Sequence, residues 1–394
     1  MKIFFRRIHL YLGLGAGLVI LIACLTGAIL VFEKDLQMAM NKSRYYVEAQ
    51  TNRLPADTII HKVKATYPKA KINGIKLYKD KERSAEVSVT LPKKDGENKE
   101  QKAGAKPARQ PGYTIFVDPY SGALLDEYTY NETFFYKVFA LHRWLLGGQG
   151  SVGKYIVGIS TLIFLFIIIT GVILWWPKTR KVLQQRLTVK WGSNWKRVNH
   201  DLHVVFGFYS GIFLFIFAFT GLAWSFEWFN KGIYKVTNSP LKNPEPPKSL
   251  YAEGKNTISY EDALRQAENV FTEASFLSVS TPKDSAAALS VTSLSENAIH
   301  ESATDVLYLD QYSGAILKRF DFGDRSLGAQ VRSSFKPIHT GSIWGMSSKI
   351  IAFITCLFGV SFPITGTIMW LNRTRKKKKA MGKRKLEAEE VEYY

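Results

Sequence analysis

Seven histidines occur in this 394-residue chain, and five of them stand at or beside the ends of long apolar runs: His9, His142, His200, His203 and His339. Imidazole is the side chain best suited to ligate a metal or carry a proton near neutral pH. His9, His200 and His203 open the first and third runs, whereas His142 and His339 precede the second and fourth. If the runs cross a membrane in alternation, the five sort into two layers, and each layer draws a histidine from each half of the chain. Two neutral imidazoles facing across a helix bundle are what six-coordinate haem iron needs as axial ligands. The competing reading makes them interfacial polar residues or hydrogen-bonding glue between helices. That reading suffices for one isolated histidine, but four in two repeat-matched layers favour haem. His9 with His203 is the expected inner pair and His142 with His339 the outer one. His200 lies three residues before His203 on the same helical face, where it could replace His9 or hydrogen-bond a haem propionate. His61 and His300 sit well inside the polar loops and read as surface residues.

The elements that must position these residues are four spans, at residues 10–32, 153–176, 203–226 and 349–371. Their apolar cores (Leu10–Phe32, Tyr155–Trp176, Val204–Phe226 and Ile350–Leu371) contain no Asp, Glu, Lys or Arg. At about 1.5 Å per residue each is long enough to cross a hydrocarbon core of about 30 Å. The formal charge of +20 is concentrated beside them: Lys2, Arg6 and Arg7 in segment 1–9, Lys178 to Arg197 in segment 177–200, and Arg373, Arg375 and Lys376 to Lys379 in the tail 372–394. The positive-inside rule then places both termini in the cytoplasm and the long loops, 33–150 and 227–345, in the periplasm. Basic runs that hug span ends, with no nucleic-acid motif beside them, argue for a lipid bilayer rather than nucleic acid as partner. The first run is too long for the apolar stretch of a cleaved signal and reads as a retained anchor. Cys24 and Cys356, the only cysteines, fall inside spans and read as packing residues.

The two halves repeat. Asp118-Pro119-Tyr120-Ser121-Gly122 returns as Asp310-Gln311-Tyr312-Ser313-Gly314, each after a strand-like run (Tyr113–Val117, Val306–Leu309). Gly122 and Gly314 are free to take positive φ, so each motif predicts a hairpin. His9 precedes Gly13, Gly17 and Thr26-Gly27 at the offsets by which His203 precedes Gly207, Gly211 and Thr220-Gly221. Thr170-Gly171 and Thr365-Gly366 match likewise in the other two spans. The unit is span, domain, span, written twice. The paired glycines permit either close helix packing or room for a cofactor. In the loops the pattern predicts helices at Ala56–Tyr67 and Tyr260–Phe271, the latter capped by Ser259. Strands are expected at Ile72–Tyr78, Ala85–Leu91, Phe276–Ser280 and Ala287–Thr292, and a disordered insertion at 93–112. Arg143, Lys336, Arg6 and Arg7 could pair haem propionates or lipid headgroups. Trp175, Trp176, Trp224, Trp228 and Trp370 read as interface anchors. No GxGxxG, Walker A or HExxH motif is present, so electrons would have to come from a separate donor.

These residues resemble a known family, the PepSY-associated transmembrane proteins. The resemblance is carried by Arg7-Ile8-His9 before a glycine-rich span ending Thr26-Gly27, Leu141-His142-Arg143-Trp144-Leu145, Asp201-Leu202-His203, Ile338-His339-Thr340-Gly341 and the Asp-x-x-Ser-Gly hairpins. It implies a membrane α-helical bundle of four transmembrane helices with two extracytoplasmic α+β PepSY-like domains. Members of the family include inner-membrane reductases of ferric siderophores. These hold haem b between helices by histidines and take electrons from the inside. Carried over, His9 and His203 would hold an inner haem, and His142 and His339 an outer one. The partners implied are a ferric siderophore or other periplasmic electron acceptor and a cytoplasmic or membrane electron donor. Two other readings stand beside it: a non-redox PepSY sensor that binds a peptide or protease, and a siderophore transporter. Spans without an intramembrane charge weigh against the transporter.

Overall fold

The protein is described as a computed structural model covering residues 2–92, 112–250 and 256–392. The insertion expected at 93–112 therefore lies outside the described residues, apart from Gly112. In chain order the helices are α1 (Lys2–Val31), α2 (Glu33–Met40), α3 (Lys42–Tyr45), α4 (Ala56–Thr66), α5 (Phe134–Trp144), α6 (Val152–Trp175), α7 (Arg180–Leu187), α8 (Trp195–Ser225), α9 (Glu227–Val236), α10 (Tyr260–Val270), α11 (Leu327–His339) and α12 (Gly345–Glu392). The strands are β1 (Lys71–Tyr78), β2 (Ala85–Thr90), β3 (Gly112–Val117), β4 (Leu124–Tyr128), β5 (Ala274–Ser280), β6 (Leu289–Ser295), β7 (Asp305–Leu309) and β8 (Ile316–Phe320). The chain divides into a helical unit (Met1–Phe32, Val138–Asn230, Ile338–Tyr394) and a sheet unit (Glu33–Lys137, Lys231–Pro337).

Among the described residues, the helical unit contains four helices long and apolar enough to cross a membrane: α1, α6, α8 and the stretch Ser342–Lys376 that leads into α12. This is a multi-pass membrane protein. The four form a ring, with α1 against α6 and α12, and α8 against the same two. Their shared interior packs Ala16, Ile20, Cys24, Ile167 and Leu214. Leu18 and Ile212, 70% and 61% exposed, face outward from it, as lipid-facing residues do, since lipid tails are as apolar as the side chains. The helices α1 and α8 begin eight residues before the apolar spans 10–32 and 203–226, at Lys2 and Trp195. Lysine and arginine are good helix formers, so the helix runs on past the last apolar residue. His9 and His203 consequently lie within helices rather than at their starts. Each of the other two histidines ends a separate short helix, α5 or α11, which the span pattern did not reveal. After α5 the chain reverses through Leu145, Leu146 and Gly148, all at positive φ; after α11 it does so through Gly341 and Gly345.

The sheet unit departs from the expected pair of domains. Its eight strands form one antiparallel sheet in the order β4-β3-β2-β1-β5-β6-β7-β8. The two loops meet at β1 and β5, with Gly74 opposite Ser280 and Tyr78 opposite Phe276. Gly74 has no alternative there, because a Cβ would come within 2.2 Å of Val279 O. The helices α4 and α10 cover one face, burying Ile59, Val63, Leu264 and Ala267 with Val87, Ile115, Val279, Val291 and Leu307. Each caps the other. Asp57 accepts the N–H groups of Tyr260 and Glu261, and Glu261 accepts that of Ala56, which satisfies orphan donors at both N-termini. Burial pushes the Glu261 carboxyl up, but Arg53 and the Ala56 N–H outweigh it and hold it below the usual carboxylate range. Both loops therefore build one folded unit with one core. The expected hairpins are present, with φ of +72° at Gly122 and +74° at Gly314.

Candidate cofactor site

The four span histidines form two couples. The rings of His9 and His203 lie 6.3 Å apart, centroid to centroid, at 82°. Those of His142 and His339 lie 6.2 Å apart at 65°. Each ring reaches across to a neighbouring helix and docks on a Thr-Gly pair. His9, from α1, sets Nδ1 3.0 Å from Thr170 Oγ1 and 3.1 Å from Ile167 O of α6. His203, from α8, sets Nδ1 2.8 Å from Thr365 Oγ1 of α12. His142, from α5, lies 3.0 Å from both Thr26 Oγ1 and Ala23 O of α1. His339, from α11, lies 3.1 Å from Thr220 Oγ1 and 2.9 Å from Phe217 O of α8. The glycine after each threonine clears the way for the ring. A Cβ at Gly171, Gly366, Gly27 or Gly221 would stand 3.4, 3.4, 3.6 or 3.1 Å from the Cε1 of the docked histidine.

With Nδ1 occupied, Nε2 is the nitrogen left to bind something else. An imidazole nitrogen sits about 2 Å from a metal and about 1.1 Å from its own ring centre, so two imidazoles on opposite sides of one ion have centroids roughly 6 Å apart. Both couples have that spacing. Among the described residues no group of three or more His, Cys, Asp or Glu could hold a metal ion. Two imidazoles alone leave a bare ion short of its usual four protein ligands. A macrocycle that brings its own four nitrogens removes the shortfall, and haem is therefore the group these donors fit.

The first couple opens on a cavity of about 650 Å³, inside the range of roughly 300–1,000 Å³ usual for cofactor sites. Gly13, Gly17, Gly207 and Gly211 all border it. A Cβ on Gly13 or Gly211 would meet nothing within 4 Å, so these two glycines make room rather than let helices touch. Lys2, Arg6, Arg186, Arg373 and His200 add charge or polarity to the same wall, while Arg7 does not border it. Arg186 donates to the terminal carbonyls of α6, Leu174 O at 3.0 Å and Trp175 O. His200 is exposed, with Nδ1 3.3 Å from the buried Asp201, and so does not take the place of His9 in the couple. At the second couple, Arg143 donates to Trp224 O at 3.3 Å and the Trp224 ring stands 5.5 Å from His339. Lys336 belongs to the sheet unit, within electrostatic reach of Glu33.

Three of the five tryptophans expected as interface anchors have other places. Trp175 is buried and stacks on Phe208 at 3.9 Å beside the cavity, Trp370 borders the same cavity, and Trp224 flanks His339. Trp176 and Trp228 are exposed, as an anchor would be. His61 is exposed as expected, but His300 is only 6% exposed, because the turn between β6 and β7 folds it against Phe322. Cys24 and Cys356 are free and sit among the helices as packing residues. The threonines were visible in the sequence as landmarks of the repeat. The signal that they meet histidines was the pairing of helices, which spacing along the chain does not contain. The PepSY-associated TM region family matches the chain over residues 6–373, from the turn before His9 to the end of the last span. Among curated proteins, none matches it.

Proposed function

This chain belongs to the PepSY-associated TM family, and from that premise we propose that it is an inner-membrane haem protein that moves electrons from the cytoplasmic side to the periplasm and there reduces a ferric siderophore. The observation that carries the reading is the recurrence of one ring spacing, 6.3 and 6.2 Å, in two couples whose Nδ1 atoms are already engaged. His9 and His203 would hold one haem b, and His142 and His339 a second. Bound in this way, haem supplies a one-electron redox couple at each level of the bundle. The helices exclude water from the rings, the Thr-Gly pairs orient them, and Arg6, Arg186 and Arg373 offer counter-charges to propionates at the first level. Arg143 would do so at the second.

The basic segments beside the spans support cytoplasmic termini and a periplasmic sheet unit. The matching halves, each with its own Thr-Gly docks and its own hairpin, support a duplicated span-domain-span unit. In the reaction, one electron taken from a cytoplasmic or membrane donor converts chelated ferric iron to ferrous. Hard anionic oxygen ligands hold the lower charge less tightly, so iron leaves and the chelator survives. Purified protein should contain about two haems per chain, with low-spin b-type bands that fade when a ferric hydroxamate chelate is added to the reduced protein under argon. A purified, folded protein with no haem and no affinity for added haemin would overturn the reading in favour of a non-redox sensor.

A further inference from the structure

A threonine in a membrane helix commonly bonds back to its own helix, so that contact alone says nothing about function. Here each of the four hydroxyls also has a partner outside its own helix, and it is always a histidine. Thr26 Oγ1 donates to Ile22 O at 2.6 Å, Thr170 Oγ1 to Ile167 O at 2.9 Å, Thr220 Oγ1 to Ile216 O at 2.8 Å and Thr365 Oγ1 to Ser361 O at 2.8 Å. A hydroxyl has one proton. Having donated it to the helix, each oxygen can only accept from the histidine, and Nδ1 must carry the hydrogen. The carbonyls of Ile167, Ala23 and Phe217 make the same demand of His9, His142 and His339. Among the described residues, Thr365 Oγ1 is the only acceptor for His203 Nδ1. The nearby Thr365 carbonyl is instead used by the buried amide of Asn199 at 3.1 Å.

We propose that Thr26, Thr170, Thr220 and Thr365 are positioning residues that fix each histidine as its Nδ1–H tautomer, present Nε2 as the ligand atom and set its donor strength, and that Thr365 is the most consequential of them because its histidine has no second acceptor. Donor strength matters only if the haem reading holds; the tautomer does not depend on it. An Nδ1–H that is hydrogen-bonded makes the imidazole more electron-rich and favours the ferric state, the same outer-shell influence that orients metal-bound histidines generally.

The test uses the full chain carrying ¹⁵N-labelled histidine, with Thr365→Val, Thr365→Ser and, for contrast, Thr170→Val. In the haem-free protein, the nitrogen shifts of His203 should report an Nδ1–H tautomer that becomes a mixture in Thr365→Val and returns in Thr365→Ser. In the haem-loaded protein, Thr365→Val should weaken haem retention at the first level by about 10-fold or more. It should also move that haem's midpoint potential to a more positive value, while Thr170→Val does less of both because Ile167 O remains. Thr365→Ser separates the hydroxyl from packing, since it keeps the oxygen and loses the methyl. An Nε2–H tautomer in the parent protein would overturn the proposal. So would a Thr365→Val protein unchanged in tautomer and potential, or a serine variant no better than valine. A parent protein that shows the Nδ1–H tautomer but binds no haem would uphold the positioning role while removing the redox function.

Discussion

The His9–His203 couple and the His142–His339 couple are held alike and housed differently. Both rings of each dock on Thr-Gly pairs, and the two centroid spacings agree to 0.1 Å, at 6.3 and 6.2 Å. The first couple stands in long helices beside an open cavity with Lys2, Arg6, Arg186 and Arg373 on its wall. The second stands at the ends of the short helices α5 and α11, with Trp224 and Phe217 close to His339. Ring spacing is thus a local property of the dock, repeated four times, whereas the room around the rings is a property of which glycines each helix carries. The two can be altered separately, and the experiments that do so rank by size.

The largest effect should come from the ligands themselves. His203→Ala and His339→Ala should each remove about half of the haem, from different levels, and the double variant nearly all of it, because a haem bound by one imidazole in a helix bundle has lost an axial ligand outright. Pyridine haemochrome measures the content. Equal, complete loss in both single variants would show that the two levels do not load independently, and the comparison would break.

Glycine variants probe room rather than ligation. Gly211→Leu should fill the first cavity and lower haem content at that level, whereas Gly211→Ala should be close to parent because its Cβ meets nothing within 4 Å. The same small change at Gly221 should do harm, since the new Cβ would stand 3.1 Å from the Cε1 of His339 and push the ring off its dock. Optical spectra of the two alanine variants, read side by side, distinguish a glycine that makes space from one that seats a ring. Identical behaviour would mean that room and seating are not separable properties of these glycines.

A milder version of the same contrast exists in the sheet unit, between Asp118 and Asp310. Both begin a Tyr-Ser-Gly hairpin. Asp118 accepts from Tyr120 N and Ser121 Oγ. The buried Asp310 accepts from Leu250 N, Tyr312 N, Ser313 N and Ser313 Oγ. Burial pushes the Asp310 carboxyl up, and the backbone donors of Ser313, Leu250 and Tyr312 more than offset it, so its pKa lies below the ordinary aspartate value. A depressed carboxyl stabilises the fold above its unfolded pKa of about 3.9, and that contribution is lost as pH falls through the lower folded value. Asp310→Asn should cost about 1–3 kcal/mol at neutral pH and flatten the acid side of the stability curve. Asp118→Asn should cost less. Thermal melts of the full chain in detergent between neutral pH and pH 3 measure both.

Much of this was legible along the chain and some was not. The four spans, the helix Tyr260–Val270 with its Ser259 cap, and the hairpins at Gly122 and Gly314 follow from local pattern: apolar length, a capping hydroxyl and a residue free to take positive φ. The pairing of His9 with His203 was legible because the halves match. Its choice over His200 needed coordinates, since three residues' separation puts both on one helical face. The merger of two loops into one sheet was hidden because strand pairing across the chain leaves no local trace. Nothing local in Ile72–Tyr78 or Phe276–Ser280 says that these strands pair with each other, and only the lack of a side chain at Gly74 hints at a close neighbour. The cavity was half legible: the paired glycines allowed either helix contact or room, and only the packing shows that a Cβ on Gly17 would meet Pro363 at 3.4 Å whereas one on Gly13 or Gly211 would meet nothing within 4 Å.

The smallest expected effect bears on the residue that sequence left undecided. His200 borders the first cavity, yet its ring is exposed and engaged with Asp201, which also takes Arg197 Nε at 2.8 Å. Replacing it removes one exposed contact of the buried Asp201, which keeps Arg197 as a partner, and no ligand. His200→Ala should therefore keep its haem content and low-spin bands, with at most a small shift in the first-level potential from the loss of a polar side chain at the cavity wall. His9→Ala, one helix away, should lose the first-level signal. If instead His200→Ala bleaches that signal and His9→Ala does not, the ring that faces His203 in the working protein comes from its own helix. The first level would then be built from one half of the chain while the second is built from both, and the likeness between the two couples would be coincidence.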